Sequence, residues 1–468
     1  MLSLVLMSFL RAWRVGPSVA LVLACVGVRA QSPAVAGSWP EDYLPALKPI
    51  LQTALRQSLT IVAKEIEIAQ REAQAVAIHA QRLPNFGGRM DYASNTTAIS
   101  GNTTTQTRDN GLFYNVGLNQ SVFHWGAITN EIARARIGVL IAQKNHADAY
   151  RALAVNLRQQ YLGLVAKKAS LLFARYALQL VKADLERMED KLKNGAAAEG
   201  DVFGRKLYVD DRSLDLARSE AEFVGSRRAF GRLAGIGDLA EAAIPTEIPA
   251  PVYSAPAAGV LVAVLLRDGA KSTFQAEVSA LNIRNADLSY RIARVRLLPM
   301  FNASAAYTLL NTTNASPVAV TQTGVTQQSV GLNAVWTIFD GFAARGAKLA
   351  ALADKRLAER QLQAVTEATL DQAQNLERLL ALDAQAMQMS EQRRGLAEGV
   401  VRRAQEEFKL GNVPQSSIDE ATANLRLSES NNALARATFL SRWSEFVSLA
   451  GDDPVLNNLP LRYAREKR

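Results

Sequence analysis

The chain has 468 residues, with 53 Lys and Arg against 44 Asp and Glu for a formal charge of +9, one Cys and three His. That length makes room for two or three domains, and a single Cys excludes a disulfide framework. His79, His124 and His146 are too scattered for a protein-built zinc or haem centre.

Residues 1–30 read as an export signal. Arg11 and Arg14 precede an apolar run, Val19 to Val28, and Val28-Arg29-Ala30 offers a small-residue cleavage site before Gln31. A spanning helix needs ~20 apolar residues, more than this run supplies. Cleavage lowers the charge from +9 to +6 and removes Cys25. The alternative is a lipoprotein box, Val22-Leu23-Ala24-Cys25, with Cys25 as a lipidated N-terminus; Leu23 fits that box poorly. No later segment is long and apolar enough for a membrane helix.

A first unit, residues 31–240, opens with an amphipathic helix from about Leu47 to Arg82. It stops at Leu83-Pro84, because the residue before a proline is pushed out of the helical region. A weak strand follows, with Met90 and Tyr92 set against Arg89 and Asp91. After a polar loop, SNTTAISGNTTTQTRDNG, comes a clearer one: Tyr114, Val116, Leu118 and Val122 share one face, Asn115, Gly117, Asn119 and Ser121 the other. Asn95-Thr96-Thr97 resembles a glycosylation acceptor but reads as ordinary polar loop. From Ala127 to Asn194 there is no Pro, and ~68 helical residues make a rod of roughly 100 Å. Leu153, Leu157, Tyr161 and Leu164 mark its apolar stripe. The rod turns at Gly195, and a returning helix ends at Leu233-Ala234-Gly235.

Residues 241–257, EAAIPTEIPAPVYSAPA, form a Pro/Ala-rich linker, since closely spaced prolines deny helix and central strand. A second unit, 258–451, repeats the plan, and 452–468 is a C-terminal tail. A helix from Val260 to Leu297 stops at Leu298-Pro299. Phe301, Ala303, Ala305, Tyr307 and Leu309 alternate with Asn302, Ser304, Ala306 and Thr308. The loop NTTNASPVAVTQTGVTQQS leads to Val330, Leu332, Ala334 and Trp336, alternating with Ser329, Gly331 and Asn333. A second Pro-free run, Phe342 to Leu410, carries Leu362, Val365, Leu376 and Leu380, turns at Gly411 and returns through Phe439, Trp443, Phe446 and Leu449.

The two units are copies. Val116-Gly117-Leu118-Asn119 returns as Val330-Gly331-Leu332-Asn333, Leu83-Pro84 as Leu298-Pro299, Gly126 as Gly341, Gly195 as Gly411 and Leu233-Ala234-Gly235 as Leu449-Ala450-Gly451, with nearly constant offset.

Alternation at period two also suits a soluble sheet packed on a core. Three details favour a membrane barrel. Each stretch approaches the ~9–11 residues a tilted strand needs to cross. Tyr114, Phe123, Trp125, Phe301, Tyr307 and Trp336 sit towards strand ends as in an interfacial girdle. The polar face is small and neutral, and the long hydrophilic loops suit an outer mouth. Four strands cannot close, and lipid cannot satisfy an open edge, so a spanning sheet must pool strands with other copies. The helical stripes mean helix-on-helix seams and not cofactor boxes; a cytoplasmic coiled coil shares them but leaves the signal, strands and duplication unexplained. At the second turn, Pro414 and Ser416/Ser417 look like a helix start, with Glu420 as capping-box partner three residues after Ser417.

VGLNQSVFHWG, VGLNAVWTIFDGFAARGAKLAALAD, the helix-ending RLPNF and LLPMF, and Gly-turned hairpins ending in LAG resemble the TolC-like outer-membrane efflux protein (outer membrane factor) family, from about Leu47 to Gly451. The resemblance implies a mostly α fold with a small β part: long α-helical hairpins forming a periplasmic α-barrel continuous with an outer-membrane β-barrel, four strands per chain and twelve in a homotrimer. It implies a tip narrowed by acidic side chains six and nine places after the hairpin glycine. Here those are Ser417 and Glu420, with Asp419 alongside, and Asp201 in the first copy; Ser417 departs from the acidic pattern. Glu420 and Asp419 thus keep two readings, lumen carboxylate and capping or solvated group. The outward tip faces, with Asn194, Gly195, Gly411, Asn412 and Val413, become contacts for a periplasmic adaptor (membrane fusion protein), beyond which lies an inner-membrane transporter of RND or ABC type. Outer-membrane lipid surrounds the barrel.

The expected function is a passive conduit for efflux of small molecules across the outer membrane. Alternatives are the outer-membrane component of a type I protein secretion system and, in a different class, an exported coiled-coil structural protein without a channel. No nucleophile elbow, phosphate loop or paired metal ligands point to an enzyme, a metal site or a cofactor. Positive charge dispersed along helices gives no nucleic-acid patch, and three His with seven Met form no metal relay.

Overall fold

A computed structural model describes residues 39–99, 105–315, 320–449 and 453–458. The expected signal segment and Cys25 lie outside the described residues, as does the tail beyond residue 458.

Nine α-helices and four strands are described: α1 (Pro40–Tyr43), α2 (Leu47–Gln57), α3 (Leu59–His79), β1 (Asn85–Ile99), β2 (Thr105–Phe123), α4 (Ala127–Lys193), α5 (Glu199–Ala234), α6 (Ala255–Asp268), α7 (Phe274–Arg294), β3 (Met300–Ala315), β4 (Val320–Val335), α8 (Ala343–Lys409) and α9 (Gln415–Leu449). The rods α4 and α8 have 67 residues each, about 100 Å at 1.5 Å per residue. The striped residues Leu153, Leu157, Tyr161, Leu164, Leu376, Leu380, Phe439, Trp443 and Phe446 are all buried.

Two expected helices are each divided. Leu47–Arg82 breaks at Ser58, whose ψ of 128° is extended, into α2 and α3, with a 3-10 turn at Ala80–Arg82. The apolar periodicity runs through this break, so a one-residue interruption left no mark in the pattern. Val260–Leu297 breaks after Asp268, where Gly269 caps α6 in the left-handed region at φ 62°. There the signal existed: Asp-Gly is a helix-stop dipeptide.

The expected polar loops are mostly strand. Ser94 pairs with Asn110 and Asn311 with Gly324, so each hairpin runs well past the expected turn. Ser, Thr and Asn resemble loop by composition, yet β-branched Thr fits a pleated surface, and the ladder itself satisfies the backbone.

The strands form one antiparallel sheet in the order β1-β2-β3-β4, so β2 of the first copy pairs with β3 of the second. The helices repeat this lateral order. In the half next to the sheet α3 packs on α4, α4 on α7 and α7 on α8; in the far half α5 packs on α4, α4 on α9 and α9 on α8. One long edge of the molecule is therefore β1, α3 and α5, and the other is β4 and α8. Both edges expose apolar residues at helical spacing: Leu59, Val62 and Ile66 on α3, Phe203, Leu207 and Leu214 on α5, and Leu382, Met389 and Leu396 on α8.

Arg158 of α4 gathers both ends of the described chain. It is fully buried, donates to Glu41 from Nε (3.0 Å) and Nη2 (2.5 Å), and to Asp453 from Nη1 (2.6 Å) and Nη2 (3.0 Å). Its guanidinium stacks 4.3 Å from the Trp39 ring. Asp453 and Val455, assigned to the tail by sequence, are buried in the body. The linker also lies against helices: Lys168 donates to the carbonyls of Glu241 (2.9 Å) and Ile244 (2.5 Å), and Arg436 to that of Ile248 (2.5 Å).

Removing one member of a buried ion cluster leaves the others charged and unpaired. Arg158→Ala is expected to lose about 3–5 kcal/mol, read as a fall in the thermal unfolding midpoint in detergent; a midpoint equal to wild type contradicts the clamp. Glu391 gives a pH test. Burial pushes its carboxyl up, but hydrogen bonds from Arg394, Asn432 and Arg436 and the Arg436 charge outweigh that and bring it to about 2. A carboxylate depressed on folding contributes stability above its unfolded value, and that contribution fades as pH falls towards the folded one. Glu391→Gln should therefore flatten the acid limb of stability between about pH 4.5 and 2, measured by unfolding at stepped pH.

Candidate functional site: sheet faces and hairpin tips

Directly paired residues of an antiparallel sheet point to the same side, so the register defines two faces. One carries Phe86–Leu118–Ala305–Val330, Gly88–Val116–Tyr307–Gln328, Met90–Tyr114–Leu309–Thr326 and Gln120–Ala303–Leu332. The opposite face carries Asn85–Asn119–Ser304–Gly331, Gly87–Gly117–Ala306–Ser329, Arg89–Asn115–Thr308–Gln327 and Ser121–Asn302–Asn333. Asn115 Nδ2 donates to Thr308 Oγ1 at 2.8 Å across the polar face, and Arg89 pairs with Asp91 at 2.6 Å. The apolar face runs from one copy into the other through Leu118–Ala305, Val116–Tyr307 and Tyr114–Leu309, with Gln120, Thr326 and Gln328 as its polar positions.

A bulge between Ser121 and Phe123 sets Val122 aside and brings Phe123 opposite Phe301. Phe123, in place of the expected Val122, completes the apolar face at its inner end. The Phe123 ring lies 5.0 Å from that of Trp125 and 6.4 Å from that of Phe301. Trp125 Nε1 donates to the Pro299 carbonyl at 2.9 Å, and Trp336 Nε1 to that of Leu297 at 3.1 Å. Both indoles thus hold the turn from α7 to β3, which fixes the sheet over the helices.

Tyr114 and Tyr307, expected towards strand ends, lie mid-strand, because the strands extend beyond the apolar rows. From Leu112 to Phe123 is ten steps with the bulge residue set aside, roughly 33 Å at ~3.3 Å each. A tilt of about 40° reduces this to roughly 25 Å, the height of an outer-membrane apolar band. Tyr114 falls near the outer limit of that band, and Ser94–Asn110–Thr313–Gln322 continues as a polar extension.

At the other end of the rods, both hairpins turn in the same way. Gly195 (φ 72°) and Gly411 (φ 75°) are left-handed. Ala196 N–H donates to Lys191 O at 2.7 Å and Asn412 N–H to Glu407 O at 2.9 Å, closing equivalent helix ends. Asn194 precedes the first glycine as the last residue of its helix end, and Asn412 and Val413 follow the second; Asn194, Gly195, Gly411 and Asn412 are exposed and Val413 is half-buried.

The acidic candidates separate into three roles. Asp201 accepts from the Ala198 backbone N–H at 3.2 Å, a helix-start contact. Asp419 is half-buried, 3.2 Å from Arg187 of α4, and accepts from Gln415 Nε2 at 3.1 Å. It therefore ties the second hairpin to the first. Glu420 is exposed. Because α9 starts at Gln415, two residues before the expected cap, Ser417 lies in the first turn and is not the cap that Glu420 was expected to partner. Sequence reasoning missed Arg187, which sits 232 residues from Asp419 and has no local pattern to mark it.

The family described as Outer membrane efflux protein matches residues 50–222 and 272–452. No curated protein sequence matches the chain. The fold is similar to the outer membrane protein VceC of Vibrio cholerae, at 16% identity over 88% of this chain and 98% of that one, with a TM-score of 0.67. It is also similar to the CmeC outer membrane channel of Campylobacter jejuni (14% identity, 93% and 94% covered, TM-score 0.72). A third is the open-state MtrE outer membrane channel of Neisseria gonorrhoeae (12%, 87% and 89%, 0.61). At such identities the likeness is one of fold.

A side chain at a left-handed glycine is strained by roughly 1–2 kcal/mol. Gly411→Ala should lower the hydrogen-exchange protection of the Phe408–Ser417 turn while the α8–α9 seam near Leu380 stays protected; equal protection at the turn refutes the strain.

Proposed function

The chain belongs to the outer membrane efflux protein family, and from that premise we propose that three copies form a passive export conduit, working with a periplasmic adaptor and an inner-membrane pump of RND or ABC type. The family lies in the outer membrane and extends into the periplasm. The observation that carries the proposal is the lateral order. An open β1 edge and an open β4 edge continue into α3/α5 and α8 with apolar stripes, so one edge is a fit for the opposite edge of the next copy. A contact between two different edges of identical molecules generates a ring when the rotation closes.

The polar face then lines a lumen, and the apolar face meets lipid. Asp419 and Arg187 act as a latch between neighbouring hairpins at the inner tip. Partly exposed ion pairs contribute only about 0–1 kcal/mol, so such a latch is weak enough for a docking adaptor to release. Exposed Glu420 supplies the carboxylate that draws cations to the neck. The exposed turn residues, from Asn194 and Gly411 onward, are the seat for the adaptor. Small molecules are the cargo of this reading, with type I protein secretion as the alternative.

The test is conductance of the purified protein in planar lipid bilayers. Wild type should run as a heat-modifiable trimer and form narrow, cation-preferring pores. Asp419→Asn should raise conductance roughly twofold, and Glu420→Gln should lower cation preference with little change in conductance. A detergent-free soluble monomer without pores refutes the conduit.

A further inference from the structure

The polar face of the sheet has one row that breaks its character. Between the apolar junction row Met300–Val335, where the sheet meets the helices, and the row Ala93–Gly111–Thr312–Thr323, its positions are Asn, Ser, Thr, Gln, Gly, Ala and one Arg, except at Asp91–Phe113–Leu310–Val325. Phe113 is half-buried and Val325 exposed on that face, with Leu310 at the register position between them. Two rows further in, Gly87–Gly117–Ala306–Ser329 is the smallest row of the wall. The apolar row lies level with Tyr92 and Tyr114 of the other face, at the outer limit of the apolar band. Asp91 of the same row is paired with Arg89 of the row directly inside at 2.6 Å, so the two rows together carry no net charge.

We propose that Phe113 and Val325, repeated around the ring, form an apolar collar at the outer mouth that favours amphipathic organic molecules over hydrated ions. The proposal rests on the channel reading above. Eight-stranded barrels are filled by their side chains, and sixteen or more strands leave a wide aqueous channel. Twelve lies between, so the size of the lining residues bears on the bore, and Phe113 brings an aromatic ring into it. A hydrophobic constriction resists ions because they must shed water to pass. An apolar cargo surface gains by leaving water on contact with the same ring. The Arg89–Asn115–Thr308–Gln327 row directly inside offers hydrogen bonds to the polar end of such a molecule.

The experiment compares single-channel currents of wild type, Phe113→Ser/Val325→Thr and Phe113→Leu in planar bilayers, with tetraphenylphosphonium as blocker. The double variant should conduct about 1.5-fold more and lose about threefold in blocker affinity, while Phe113→Leu stays close to wild type. Unchanged current and block in the double variant overturn the collar. A second measurement leaves the row's packing nearly intact: a charged, water-soluble methanethiosulfonate should reduce the current of Val325→Cys and leave that of Tyr114→Cys unchanged. The reverse pattern also overturns it. A wild type that forms no pore defeats the channel reading itself, an outcome distinct from a conducting trimer with an indifferent Phe113.

Discussion

Lipid offers no hydrogen bonds, so every backbone N–H and C=O in the membrane must find a partner within protein. This sheet leaves one side of β1 and one side of β4 without partners. Each orphan group costs several kcal/mol in hydrocarbon, which over a strand exceeds any stability a single domain possesses. No rearrangement of the helices can repay that, because they lie beyond the sheet. Closure with further copies is thus the dominant requirement, and the helices follow it. Each of β1, β2, β3 and β4 is joined to α3, α4, α7 and α8 respectively, so the helical wall inherits the lateral order of the strands.

In the aqueous part the rule changes. Backbone groups are satisfied inside each helix, so the exposed edges are left with apolar side chains to bury. This is why α3, α5 and α8 carry stripes of Leu, Val, Ile and Met with many Ala between, and why the seam tolerates polar interruptions that a sheet edge in lipid does not. The long rods need local anchoring as well. Arg158 provides it by drawing the Trp39–Glu41 segment and Asp453 onto the middle of α4, so that residues remote in sequence clasp the rod where α3 gives way to α5.

The faces of the sheet were legible because the two residue classes differ sharply: Val116, Leu118 and Val330 against Asn115, Asn119 and Ser329. The rods were legible from the lack of Pro and the three-four spacing. Strand length was not, because residues such as Ser94, Thr96 and Thr323 read as loop by composition, while their pairing is decided across the hairpin. The break at Ser58 was invisible to periodicity, whereas Asp268-Gly269 was a stop signal within reach. Arg158 and Arg187 could not be found, since a lone Arg in a long helix is ordinarily solvated and its partners lie far along the chain. Phe113 was within reach: Leu112-Phe113-Tyr114 puts three apolar residues in a row, which a two-faced strand cannot all hide.

Duplication supplies the scaffold, and divergence supplies the difference between its halves. The two hairpin turns keep the same left-handed glycine and the same closing hydrogen bonds, because those are set by helix-end geometry that any sequence must satisfy. Residues beyond each glycine differ between the copies. In the first copy Asp201 is used to start α5 and is thereby removed from other duties. In the second copy Pro414 precedes the helix, and Asp419, which also accepts from Gln415 Nε2, reaches Arg187 of the first hairpin. A ring of such copies has six similar hairpins but alternating chemistry at the tip. In such a ring every hairpin meets an unlike neighbour on both sides, and the seam within each copy is the one that Asp419 and Arg187 hold at the tip.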